Sequence, residues 1–446
     1  MSIFFVLVSI NTYSQTELTL NQAWEKAYQD YPELKEKNAL INATQFNTLK
    51  VKSGMLPNSQ VQLQNTYGTF EGSGGAFFPL PGIFNVNGNN PDTQVKTTAN
   101  SFGSVLIDWN VYQFGRLRHS IKAANSLNEQ ARGELTLTKL NVQTSVTRLY
   151  FNILYSEAYL IWAKNNGERV KKILEIATSL ADAGIKPGAD TSLASSSYLQ
   201  ALSRTDEWNG KRAGAKLQLS EFIPDLVANV SLKTDFYLKT PIGLHRPDSV
   251  NNHPVLNVLA QEVTYGQIRQ KEVSSALLPA LSLLGGASSR GSGIGAAGVS
   301  DKLTSGFGNG SNNFLVGIGL TWNISDMYSG AFEKKKIVQQ TIAAQSRYDL
   351  QKIQLNTGIQ SINAKITEQI KQVSKSDAAV QKSKEAYELY FARYESGLIN
   401  LTELLQIQLL LQEAEKSNIE AHQSLWDEVI SRAAATNNFT YLSNQF

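Results

Sequence analysis

Apolar residues recur along this chain with two different periods, and the changes of period divide it into elements. Leu355, Ile359, Ile362, Ile366, Ile370 and Val373 are spaced by 4, 3, 4, 4 and 3 residues, close to the turn of an α-helix. They lie in a helical stretch from about 331 to 396, and a second long stretch runs from about 116 to 183. At about 1.5 Å per residue each would be ~100 Å long, a length that suits a coiled-coil rod or tube and not a globular core. Each long helix is expected to turn at a glycine and return as a shorter helix, over about 190–222 and 401–436.

Elsewhere the period is two, the mark of a strand with unlike faces. Gln60, Gln62, Gln64 and Thr66 alternate with Val61, Leu63 and Tyr67. Val316, Ile318, Leu320 and Trp322 share one face of a later strand, with Gly317, Gly319 and Thr321 on the other. Strands are also predicted for Ser101–Trp109 and Ala280–Ala287. Leu56-Pro57 and Leu278-Pro279 stop the helices that precede the strands, because proline cannot continue the hydrogen-bond ladder.

The elements come twice in the same order. Pro32 to Pro57 and Pro254 to Pro279 are both 25-residue intervals, and Trp109-Asn110 recurs 213 residues later as Trp322-Asn323. Gly184 with Asp190 recurs at that same offset of 213 as Gly397 with Glu403. Two structural repeats are therefore expected. The first spans 16–225, with a strand pair about 58–110 and a helical hairpin 116–222. A linker follows over 226–252. The second repeat spans 253–446, with a strand pair about 280–323 and a hairpin 331–436.

Strands of about ten residues with one apolar face fit an outer-membrane barrel, and Tyr67, Trp109 and Trp322 lie near strand ends, where interfacial aromatics are favoured. Four strands cannot close a barrel, and an open edge cannot stand in lipid. The barrel must then be shared between chains, and three copies would supply twelve strands, within the range such barrels use. The competing reading, a soluble α+β protein with small sheets, leaves the two long helices unexplained.

Composition narrows the chemistry. With no cysteine in the sequence, no disulfide, thiolate metal site, cysteine nucleophile or lipidated N-terminal cysteine is expected. A net charge of +3, with no basic run longer than Lys334-Lys335-Lys336, gives no concentrated face for nucleic acid. That triplet reads as a solvated helix start. Ile3–Ile10 has the length of a signal-peptide apolar core, although the usual basic residues before it are missing. A cleaved export signal over 1–15 is expected, with a buried N-terminal strand as the alternative. Gly293–Gly298 spells GxGxxG, but a loop and not a helix follows it, so no dinucleotide site is expected. His119, His245, His253 and His422 lack metal-ligand spacing, and no nucleophile–base set is evident. Neither a cofactor, a metal nor an enzymatic activity is therefore expected. The apolar loop 76–84 would fold over the barrel mouth or pack on a neighbouring copy.

The chain resembles the TolC-type outer-membrane efflux proteins. Carrying the resemblance are Leu20, Ala23, Ala27 and Tyr31-Pro32-Glu33-Leu34, the paired Leu-Pro junctions, the paired Trp-Asn strand ends followed by Gly115 and Gly330, and the two glycine turns. It implies a mixed α and β membrane protein, a homotrimer whose twelve-stranded β-barrel continues into a long periplasmic α-helical barrel. It also implies a passive exit duct in the outer membrane of a Gram-negative bacterium, docking a periplasmic adaptor protein and an inner-membrane pump. From another functional class, a structural trimeric coiled-coil surface protein is the alternative. By the same resemblance, Tyr394 matches a gate tyrosine, Asp190 the aspartate it bonds, and Glu403 the first acid of a constriction ring. The second acid falls at Gln406, and a family arginine at Ile399, so the gate should be less acidic and less firmly latched. Gly184-Ile185-Lys186 and Gly397-Leu398-Ile399 would be exposed tips that meet the adaptor, with Lys186 a candidate substitute for the missing arginine. Repeated three times in a narrow lumen, Glu403 would favour cations. Near a helix start, it and Asp190 would also complement the helix dipole.

Overall fold

The computed structural model describes residues 18–70, 96–224, 240–241, 250–295 and 298–444. The expected export signal, the apolar loop 76–84, His245 and most of the segment 226–252 lie outside them. The chain is mostly helical with a small sheet, and it divides into two compact units.

The first unit comprises residues 1–41, 130–260 and 345–446. Helix α1 (Leu20–Asp30) starts on a reciprocal cap, in which Thr19 Oγ1 accepts from Gln22 N and Gln22 Oε1 accepts from Thr19 N. Tyr31 is extended ahead of proline, and Pro32 opens α2 (Pro32–Lys52). The remaining helices are the greater part of α3 (Arg116–Asp182), then α4 (Gly188–Ser220), the start of α5 (Pro254–Ala276), most of α6 (Asp326–Glu395), α7 (Leu401–Thr436) and the short α8 (Thr440–Ser443). An aromatic core joins all of these but α5. Trp24 packs edge-on against Phe439, and Phe151 lies 5.6 Å from Trp426. Several of the buried polar tips find partners there. Trp24 Nε1 donates to Thr147 Oγ1, Tyr150 to Leu18 O, Tyr155 to His422 O and Trp162 Nε1 to Gln412 O. A second apolar cluster, built on Ile173, Ala177, Tyr387, Tyr394, Leu401 and Leu404, lies at the α3 and α6 ends. Near Gln412 is a polar layer in which Gln408 donates to the buried Asn166, and Arg169 grips Glu415 with its two terminal guanidinium nitrogens.

The second unit comprises residues 42–129 and 261–344 and holds the sheet. Strands β1 (Asn58–Phe70), β2 (Lys96–Tyr112), β3 (Ala280–Ser292) and β6 (Ser311–Thr321) form one antiparallel sheet in that order. The short pair β4 (Ile294–Gly295) and β5 (Gly298–Val299) lies in the connection from β3 to β6. This places the GxGxxG segment in a strand turn with no helix after it, and its Ala296 and Ala297 lie outside the described residues. A left-handed pair, Phe114 and Gly115, turns β2 into α3. At Gly330, a Cβ would meet the end of the Leu277 side chain, Cδ2 at 2.3 Å, so glycine lets α6 pass without moving that leucine.

Candidate functional site

The register shows what the alternation accomplishes. Val61, Val105, Ala287 and Phe314 lie in one cross-strand row, and Trp109, Leu283 and Ile318 in another on the same face. The opposite face carries Gln62, Ser104, Ser288 and Asn313 in one row, and Gln64, Phe102, Arg290 and Ser311 in the next. Phe314 and Val316 are each 86% exposed, so among the described residues these apolar rows are uncovered within one chain. Among the described residues, strands β1 and β6 each pair on one side only.

The aromatics at the strand ends are fixed by hydrogen bonds. Trp109 Nε1 donates to Met55 O at 2.8 Å, and Trp322 Nε1 donates to Leu277 O at 3.1 Å. Both carbonyls lie two residues before the proline of a Leu-Pro junction, so each indole ties a strand end to the helix before the neighbouring strand. Trp322 falls one residue beyond β6. Tyr67 lies near the other end of its strand, where its hydroxyl pairs with Thr97 Oγ1 at 2.9 Å.

The two glycine turns share one geometry. Gly184 and Gly397 have φ of +69° and +73°. Ile185 N donates to Leu180 O and Leu398 N to Arg393 O, both at 2.9 Å, while Gly184 N and Gly397 N donate to Ala181 O and Tyr394 O. This closing pattern satisfies the last carbonyls of a helix around a left-handed residue, which glycine adopts without steric cost. The returning helices start differently. Asn400 caps α7, accepting from Glu403 N at 2.8 Å and donating from Nδ2 to Glu403 Oε1 at 2.7 Å. Pro187 precedes α4 with no side-chain cap. Asp190 and Glu403 each occupy the third position of their helix, where a carboxylate complements the dipole.

Tyr394 is fully buried in the apolar cluster beneath the turn. Its Oη has no hydrogen-bond partner among the described residues, so the bond to Asp190 that the resemblance implies is not formed. Burial raises the Tyr394 phenol above its ordinary pKa, and the nearby Asp190 charge raises it further. The tips also depart from expectation at Ile399, which is buried and not exposed, because its side chain fills the cluster with Leu401 and Leu404. Lys186 Nζ instead donates to the Ile399 main-chain carbonyl at 3.4 Å, joining the two turns. Ile185 and Leu398 remain bare, 64% and 71% exposed. Glu403 and Gln406 are exposed on one face of α7. The Lys186 contact left no signal in the sequence, since a carbonyl acceptor has no residue type.

None of the histidines among the described residues gathers a ligand set. His119 Nδ1 faces Ser275 Oγ, His253 Nε2 faces Ala434 O, and His422 Nε2 faces Asp377 Oδ1. Among the described residues no helix is long and apolar enough to cross a membrane, which says nothing of a β-barrel.

Solved structures similar to this one in fold include outer-membrane channels. The channel OprN matches with a TM-score of 0.77 at 15% identity, over 94% of this chain and 90% of its own. CmeC of Campylobacter jejuni matches at 0.75 and 15% identity, over 98% and 93% of the two chains. VceC of Vibrio cholerae matches at 0.75 and 14% identity, over 94% and 96%. No curated protein gives a significant sequence match. The family described as outer membrane efflux protein matches residues 85–223 and 247–438. The chain belongs to that family, a family of outer-membrane efflux channels and not of enzymes.

Proposed function

We propose that this chain is the passive exit duct of a tripartite efflux or type I secretion assembly. Three copies pair β1 of one with β6 of the next, closing a twelve-stranded barrel whose bare apolar face meets lipid. The long helices of the two repeats form the periplasmic helical barrel. Small molecules or ions pass through it from an adaptor protein and an inner-membrane pump. The observation that carries this reading is a four-stranded sheet whose two edges are unpaired among the described residues, with an exposed row of large apolar side chains, a surface that water does not tolerate in a monomer.

At the turns, Ile185 and Leu398 are the apolar points offered to the adaptor, set by Gly184 and Gly397 and linked through Lys186 and Ile399. Asp190, Tyr394, Glu403 and Gln406 form the gate region. Repeated about a three-fold axis, Glu403 makes the lumen selective for cations. Its carboxylate also serves the Asn400 cap, so the same group sets helix start and pore charge.

The test is reconstitution in a planar bilayer. The chain should purify from outer membranes as a trimer and conduct ions with cation preference, and Glu403→Ala should reduce that preference and weaken divalent-ion block. A soluble, non-conducting monomer would overturn the duct, and unchanged selectivity in the variant would remove the role of Glu403.

A further inference from the structure

The connection from β3 to β6 does not stand clear of the sheet. After β5, residues Leu303–Phe307 form a single tight helical turn laid against it. A Cβ on Gly291 would meet Gly306 O at 2.2 Å, and one on Gly306 would meet Ala99 Cβ at 3.2 Å. Gly291 is paired with Ser101 and shares the face of Gly103 and Val105. The turn therefore covers the same side of the sheet that carries the apolar rows. Bonds to the sheet hold the chain on both sides of it: Thr98 Oγ1 donates to Ser300 O and Ser292 N to Gly308 O, each at 2.9 Å. Ala99 beneath it is fully buried.

The outer surface of this fixed turn is apolar. Leu303 is 68% and Phe307 72% exposed, with Asp301 and Lys302 exposed beside them. Its height on the sheet decides what meets them. Ten residues of β2 separate Ala99 from Trp109, about 33 Å along a strand. With a strand tilt of about 40°, this is a rise of ~25 Å, the height of the apolar band of an outer-membrane barrel. If Trp109 marks one edge of that band, the turn sits at the other edge, level with Tyr67, the partner of Ala99.

We propose that Leu303–Phe307 is an interfacial anchor, in which Leu303 and Phe307 insert into the boundary between headgroups and acyl chains of the surrounding lipid. Lys302, exposed beside them, reaches the phosphate layer with its long stem. The proposal rests on the barrel reading, because the turn meets lipid only if the apolar rows below it do. It assigns the lipid-facing side of the connection a purpose distinct from closing the pore.

The absence of cysteine allows single labels. Phe307→Cys and, separately, Val316→Cys are labelled with an environment-sensitive fluorophore in the full chain. Each is reconstituted in phosphatidylethanolamine–phosphatidylglycerol vesicles. The Val316 label should be quenched by brominated acyl chains, which checks the barrel alone. The Phe307 label should be quenched severalfold more by a headgroup-level spin-labelled lipid than by aqueous iodide. Stronger quenching by iodide overturns the anchor while leaving the barrel intact. A Phe307 label reached by neither quencher means that protein covers the turn, which also overturns it. If the Val316 label is not reached by lipid quenchers, the barrel reading fails and the anchor with it.

Discussion

Replacing Tyr394 by phenylalanine gives the most direct test of how the gate region is built. The resemblance assigns this hydroxyl a bond to Asp190, yet Oη is buried with no partner among the described residues. An unpaired buried polar group costs ~1–3 kcal/mol. Tyr394→Phe removes that group and keeps the ring in its apolar cluster. The packed turn should therefore gain stability against local opening, by roughly 5- to 150-fold in the opening equilibrium. Hydrogen exchange of the amides around Gly397 in the purified protein reads this directly, as slower exchange in the variant. A double-mutant cycle with Asp190→Asn separates charge from bonding: without a hydrogen bond the coupling should stay below ~0.5 kcal/mol. Faster exchange, a leakier channel and a coupling of ~1 kcal/mol or more would refute the reasoning, because Oη would then have a partner in solution.

Two further predictions concern the backbone and pH. Gly184→Ala and Gly397→Ala each meet open space but force a left-handed conformation, so each should destabilise its turn by ~1 kcal/mol, additively, seen as faster trypsin cleavage near Lys186 and Arg393. Burial lowers the pKa of His253, against a smaller upward pull from the Ala434 carbonyl. Its folded pKa lies below the unfolded value, so its stabilising effect is present above about pH 6.5 and is lost as pH falls through the folded pKa. Unfolding midpoints between pH 8 and 5 should fall, and His253→Gln should flatten that slope.

The sequence by itself determined which segments are helix and which are strand. The spacing of Leu355 through Val373 marks the interior of α6, and the alternation of Val316, Ile318 and Leu320 marks the exposed face of β6. Both follow from local geometry, since a period of 3.6 or of two is set by the backbone and needs no knowledge of partners. The glycine turns were legible for the same reason, because a left-handed residue ending a helix selects glycine locally.

Only the tertiary structure decided what those segments meet. The tip sequence Gly397-Leu398-Ile399 reads as three exposed residues, but Ile399 turns inward because a cluster from the four helices α3, α4, α6 and α7 offers it burial. Lys186 closes on a main-chain carbonyl, and Trp109 and Trp322 do the same at the strand ends. Such contacts have no signature in composition or spacing, because every residue carries that acceptor and only the fold brings one within reach. The segment after Gly293–Gly298 reads only as a loop, and the fold lays it on the sheet because Gly291 and Gly306 leave the backbones room to touch.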